Sequence, residues 1–207
     1  MPVLIRSTAK AIILHEGHIL LNRCADSRNG TYYALPGGGQ NQFEPLEDAV
    51  VRECLEETGY RVHPVRLIAV CEEIWNDAER RQKYPEYAHR MLHIFLCTLD
   101  GTEPEHTPTE MDLNMLESVW IPLDALEGLT LEPAPLQGRI EDVLHGTAPL
   151  FLGTQQIGKK RAFTKRLEKA PLTGKKAPFW GEKAPLAGSL QSVEKVQRKL
   201  GFFACIR

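Results

Sequence analysis

The sequence predicts an α/β domain over residues 1–157, followed by a basic extension over residues 158–207. Three observations lead there. Several β-branched and apolar runs are separated by turn residues, as in a sheet. Two or three other segments carry helical signals, one of them bracketed by Pro45 and Gly59. The charge also divides sharply. Residues 1–157 hold 12 Lys and Arg against 24 Asp and Glu, a net of −12; residues 158–207 hold 13 against 3, a net of +10. Together these give the −2 of the whole chain.

Taken in order, residues 3–14 and 18–24 are apolar runs split by His15-Glu16-Gly17, which reads as a β-hairpin with a glycine turn. Residues 31–36, TYYALP, read as a short strand that delivers the chain into Gly37-Gly38-Gly39. Pro45 then opens a helix to about Thr58. Proline suits a first helical position because its missing N–H has no partner there in any case. Gly59 stops the helix, as a residue free to turn left-handed does. Strand-like runs follow at 64–75 and 90–99, joined by the polar segment NDAERRQKYPEYAH, read as a loop. An acidic loop, 100–118, leads to a short strand, Val119-Trp120-Ile121-Pro122. Leu123–Leu129 and Pro135–His145 look helical, the second with an apolar stripe of Leu136, Ile140, Val143 and Leu144.

The last fifty residues differ in kind. KAPLTGK, KAPFWGE and KAPLAGS stand in tandem at 169–189. Each unit holds Pro and Gly, which oppose a helix, and three short units bury little, so an extended tether is expected. SLQSVEKVQRKL then has the pattern of one amphipathic helix. Such a tail reads first as a dispensable extension. A nucleic-acid or membrane-surface role rests on charge alone, a weak indicator, and packing against the acidic domain is the third reading.

The bulk numbers exclude several classes. Hydrophobic content of 43% and charged content of 25% over 207 residues are ordinary for a soluble globular protein. No apolar run reaches the roughly 18 residues of a membrane span. The first residues lack a small-residue cleavage site after an apolar core, so they read as a strand rather than a signal peptide. Cysteines 24, 54, 71, 97 and 205 are odd in number and form no CxxC pair. Cys54, Cys71 and Cys97 fall in apolar patterns and read as small buried hydrophobes. A reducing cytoplasm is the simplest setting.

The chemistry concentrates between Gly37 and Gly59. At 100° per residue, with Glu53 at zero, Glu57 falls at about +40° and Glu56 at about −60°. The three carboxylates share one helix face, apart from the stripe of Val50, Val51, Cys54 and Leu55. Like charges three and four residues apart repel. A divalent cation with oxygen ligands, Mg²⁺ or Mn²⁺, relieves that repulsion; a solvated acidic face with Lys or Arg nearby does so too. The glycines favour the first reading. They let backbone approach a ligand closely, and a metal beside such a loop suits a diphosphate and an attack of water on phosphorus.

The spacing is Gly38, five residues, Glu44, seven residues, Arg52-Glu53, two residues, Glu56-Glu57, one residue, Gly59. This is the Nudix box, and the chain resembles the Nudix hydrolase family. ILLNR, LPGGG and WIPLDAL extend the resemblance over about 150 residues. Cys54 and Tyr60 stand where the family has aliphatic residues, and QNQF replaces a tight Pro-Gly turn.

The resemblance implies an α/β/α sandwich around a mixed sheet. It implies a metal, Mg²⁺ or Mn²⁺, on Glu53, Glu56 and Glu57 with a carbonyl from Gly37 or Gly38. Gly37, Gly38 and Gly39 would line the substrate loop. Arg52 would orient Glu53, and Glu44 would support the helix end. Glu53 is the first choice of general base, with Glu110, Asp112 and Glu117 as alternatives from a loop outside the box. The implied reaction is hydrolysis of a nucleoside diphosphate linked to some other group, such as an (oxidised) (d)NTP or ADP-ribose.

Outside the box, Arg23 is a candidate phosphate contact. Trp75, Tyr84 and Tyr87, with Arg80, Arg81, His89 and Arg90, suit base stacking and phosphates, and equally a homodimer contact or an ordinary mixed surface. A nucleotide-sensing module without turnover and an RNA 5′-end pyrophosphohydrolase guided by the basic tail are the two competing functions. The seven histidines include no metal-spaced pair near the box, and none is assigned a catalytic role.

Overall fold

The computed structural model describes residues 5–27, 30–112 and 114–158. The expected hairpin forms: β1 (Arg6–His15) and β2 (His18–Asp26) are joined by Glu16-Gly17, both at positive φ, 47° and 76°. Such a turn matches the twist of the strands it joins. The strands then part. Only Leu14 with Ile19 and His15 with His18 are paired. β1 runs on beside β5 (His89–Leu99), in parallel, from Arg6–Arg90 to Ile13–Cys97. β2 turns to β3 (Gly30–Ala34) and β6 (Met115–Pro122), both antiparallel.

With β4 (Val62–Trp75), β7 (Leu131–Glu132) and β8 (Leu150–Ile157), the strands form one curled mixed sheet. Its order is β7-β3-β2-β1-β5-β4-β8, with β6 paired to β2. The parting leaves an edge of β1 open, and the glycine segment occupies it. The Ala11 N–H donates to the Pro36 carbonyl and the Ala9 N–H to that of Gly38, both at 2.9 Å; the Gln40 N–H donates to Ser7 at 3.1 Å. The loop is therefore held by main-chain bonds, as a strand would be.

Helix α1 (Leu46–Thr58) packs Ala49, Val50 and Cys54 onto Ala9, Ala11, Phe95 and Cys97. Burial of a side chain such as Val50 contributes about 1.5–3 kcal/mol. Pro45 is the residue that caps the helix, one place before the position expected. Gly59 closes it at φ 76°, its N–H on the Leu55 carbonyl. Cys24, Cys54, Cys71 and Cys97 are all buried free thiols. The sheet with its packed helices is the expected α/β/α sandwich.

Elsewhere the boundaries moved. Residues 76–89 are not merely a loop: Asp77 accepts from the Arg80 N–H at 3.0 Å and caps a short helix α2 (Ala78–Lys83), and Pro85–Tyr87 adds a 3₁₀ turn. The helix expected at Leu123–Leu129 is one 3₁₀ turn, Leu123–Ala125, with Gly128 at φ 87° beyond it. Pro135–His145 is interrupted by Gly138 at φ 69°, leaving a 3₁₀ turn Ala134–Leu136 and helix α3 (Ile140–His145). The acidic loop is shorter than expected, because β6 starts at Met115. Among the described residues, no helix is long and apolar enough to cross a membrane. The tandem repeat, the amphipathic segment after it and Cys205 lie outside the described residues.

Candidate active site

Glu57 is the pivot of the site. It is 4% exposed, and one carboxylate oxygen accepts from both the Gly37 N–H and Asn22 Nδ2, each at 2.8 Å. Ser118 Oγ donates to Asn22 Oδ1 at 2.9 Å and so fixes the amide. Four pieces of chain, β2, β6, the glycine loop and α1, thus meet at one buried acid.

Arg52 organises the remaining acids. Its Nε and Nη2 grip Glu44 at 2.7 and 2.9 Å. Its Nη1 donates to Glu53 at 2.7 Å and Glu56 at 2.9 Å, and Nη2 also reaches the Gly39 carbonyl at 2.9 Å. All five guanidinium hydrogens have acceptors. The QNQF segment closes on the same acid. Asn41 N–H donates to the Glu44 carboxylate at 2.8 Å, Gln40 Nε2 to its carbonyl at 2.6 Å, and Phe43 takes φ 69° to make the turn.

The Glu53 carboxylate lies against Gly38, in the space a Cβ there would need. The two candidate carbonyls differ. That of Gly38 is hydrogen-bonded to Ala9, whereas that of Gly37 receives Lys10 Nζ. Lys10 rises from β1, and its charge also favours the ionised forms of Glu53 and Glu57.

Burial dominates the electrostatics. It pushes Glu57 up to about 7, opposed by Lys10 and the Gly37 N–H, and it raises Glu53, opposed by Arg52. Arg52 holds Glu44 below the usual carboxylate range, and Glu44 in turn raises Arg52. The carboxylates do not converge as a ligand sphere: Glu53 and Glu56 share Arg52, Glu57 turns inward, and no group of three His, Cys, Asp or Glu among the described residues is arranged to hold a metal ion. The donor chemistry nevertheless fits Mg²⁺ or Mn²⁺. Every donor is oxygen, and the Arg52 guanidinium drawn onto three acids, with the Lys10 ammonium on the neighbouring Gly37 carbonyl, shows the site's demand for positive charge.

A pH dependence follows. With Glu57 near 7 when folded and at 4.5 ordinarily, the folded protein binds more protons between those values. Stability from this group is full below 4.5 and is lost as pH rises to 7, by about 3 kcal/mol. A Mg²⁺ ion held by Glu57 would compete with the same protons. Calorimetry should show a Mg²⁺-induced rise in Tm that is larger at about pH 7.5 than at about pH 5.5. A rise that shrinks with pH would contradict the assignment.

Arg23 stands apart from this cluster. It pairs with Glu117, its register partner on β6, at 2.7 Å from Nε, so two candidates satisfy each other. Glu110 and Thr109 donate backbone N–H groups to the Glu56 carbonyl at 3.2 and 2.9 Å, tying the acidic loop to the end of α1. Asp112 is the loop acid whose charge raises Glu57. Lys10 and Asn22 were missed in the sequence. Lys10 stands between Ala9 and Ala11, and Asn22 follows Ile19-Leu20-Leu21; a polar residue set into or against an apolar run is the available signal for a buried partner.

Fold and site together define an α/β sandwich whose loop–helix motif carries a carboxylate cluster. The profile of the NUDIX domain family matches residues 4–143, more than half of the chain, and the chain belongs to that family. The NAD-capped RNA hydrolase NudC of Photorhabdus laumondii subsp. laumondii is 29% identical over 132 residues, 64% of this chain. Those residues are 45% of that protein, so the chain spans less than half the length of that relative. Among solved structures, a NUDIX hydrolase from Nitrosomonas europaea is 19% identical with a TM-score of 0.52, covering 69% of this chain and 89% of that one. A mutator MutT protein from Bacillus halodurans is 22% identical with a TM-score of 0.52, covering 73% and 90%. At these identities both show the likeness of fold.

Proposed function

We propose that this protein hydrolyses a pyrophosphate bond in a nucleoside diphosphate linked to a further group, with Mg²⁺ or Mn²⁺. The observation that carries it is the Glu53 carboxylate set against Gly38, on the loop where a phosphate would approach, with Arg52 holding Glu53 and Glu56 together. Glu53, Glu56 and Glu57, with the Gly37 carbonyl rather than that of Gly38, are the groups that would hold the metal. Bound there, the ion supplies charge neutralisation for the phosphates and lowers the pKa of an attacking water. Glu53 is the proposed proton acceptor, its affinity for protons raised by burial. Arg52 keeps its carboxylate aimed, and the Gly37 N–H keeps Glu57 in place.

The substrate class includes (d)NTPs, oxidised (d)NTPs and ADP-ribose. The name of the NudC relative adds NAD-type dinucleotides and, with the +10 tail, keeps an RNA 5′ end as the second reading. The testing experiment is hydrolysis of such a panel with each metal. Cleavage of at least one class, abolished by chelator, is expected; no cleavage of any member with either metal would overturn it.

The loop acids can be ranked in the same assay. Asp112→Asn is expected to lower kcat about tenfold, since its charge acts at Glu57, while Glu117→Gln stays within about twofold. The reverse order would move the loop contribution to Glu117.

A further inference from the structure

A second polar centre lies on the same face of the sheet as Lys10. Arg6, Arg90, Glu73 and Gln155 are register partners across β1, β5, β4 and β8, so their side chains leave one face. Lys10 is four residues along β1 from Arg6 and shares that face. At about 3.3 Å per residue the two centres stand roughly 13 Å apart, a reach suited to a diphosphate and a pentose. Arg6 joins them: its guanidinium lies against Gly39 and 4.8 Å from the centroid of the Tyr87 ring.

The centre is built but incompletely satisfied. Glu73 is 2% exposed and pairs with Arg90. Gln155 Nε2 donates to Glu132 at 3.3 Å, which brings a second carboxylate from β7. Burial, then the charge of Glu73, raises the pKa of Glu132. Two buried donors, Trp75 Nε1 and Arg90 Nε, have no hydrogen-bond partner among the described residues. Trp75 lies two residues beyond Glu73 on β4 and shares its face. Buried donors without acceptors are costly and rare.

The occupant must offer acceptors to these donors, donors to the carboxylates, and a flat face to Tyr87. A bare phosphate does not fit, because Glu73 and Glu132 repel it. A nucleobase meets all three demands. We propose that this centre is the nucleobase subsite, with Trp75, Arg90 and Glu73 reading the edge of the base and Tyr87 covering its face. It rests on the reading of the substrate as a nucleoside diphosphate.

The test is metal-free calorimetric titration of the full chain with the four ribonucleoside 5′-monophosphates, with ribose 5-phosphate as the base-free control. At least one nucleotide is expected to bind about tenfold tighter than ribose 5-phosphate, the strength of an ordinary base–aromatic stack. The half-exposed Tyr87→Ala should remove most of that difference. Trp75→Phe, which keeps the ring and drops the N–H, should reduce it about fivefold. Neither should change binding of ribose 5-phosphate. Equal binding of nucleotides and ribose 5-phosphate by the wild type, or a difference that survives both substitutions, overturns the subsite. Because no turnover is involved, its failure is distinct from a failure of the hydrolysis panel.

Discussion

Replacing Glu53 by glutamine is expected to lower turnover by at least about a hundredfold, with Tm unchanged within about two degrees. Glutamine keeps the shape of the side chain and one acceptor oxygen for Arg52 Nη1, now 2.7 Å from the carboxylate. Arg52 still holds Glu44 and Glu56, so little stability is lost. What disappears is the negative charge against Gly38, the charge proposed above to serve as metal ligand and proton acceptor. Parallel measurements of kcat and Tm check it. A loss below about tenfold would show that the proton goes elsewhere, and Asp112 would become the first candidate.

The largest effect on stability is expected from Gly37→Ala, and its neighbour provides the control. Gly37 sits at φ 116°, and a Cβ there falls on the Ala9 carbonyl and the Lys10 Cα, main-chain atoms of β1. Neither the backbone angle nor the neighbour can yield cheaply, so a loss of about 3–4 kcal/mol is expected, roughly 10 °C in Tm. At Gly38 the added carbon meets the end of the Glu53 side chain, which can swing away. Gly38→Ala should therefore remain folded and lose activity much as Glu53→Gln does. Thermal melts of the two variants separate the roles; a Gly37→Ala protein that melts like the wild type would sink the account of the loop.

Helix α1 was legible because its signals are local. Pro45 and Gly59 bracket it, Val50 and Cys54 of the expected stripe are buried, and the box spacing lies within 23 residues; Val51 and Leu55 of that stripe are only half-buried, and Ala49 is buried in addition. The hairpin turn was legible for the same reason. The parting of β1 from β2 was not, because the partner that β1 takes instead is β5, far along the chain. Lys10 was passed over for a related cause: its role depends on the Gly37 carbonyl docking beside β1. The α2 segment looked like a loop because its six residues bury no apolar face, and only the Asp77 cap marks it. β8 was unread because Gly153, at φ 100°, interrupts its alternation. In the site, Arg52 and the three glutamates were implied by the box, whereas the pairing of Arg23 with Glu117 joins residues on different strands and needed the sheet register.

The early divergence of the hairpin bears on how the protein is made. Two rungs at the turn close quickly, but the ladder that beds the glycine loop joins Arg6 to Arg90, 84 positions apart. Contacts of such separation form late, because loop-closure entropy must be overcome first. The strand that carries Lys10 and supports Gly37 and Gly38 thus reaches its final neighbours only when the chain has emerged through β5. A nascent chain ending within α1 holds every residue of the box except its last few and still lacks the bed on which the loop lies. Competence for chemistry is in this sense a property of the finished sheet.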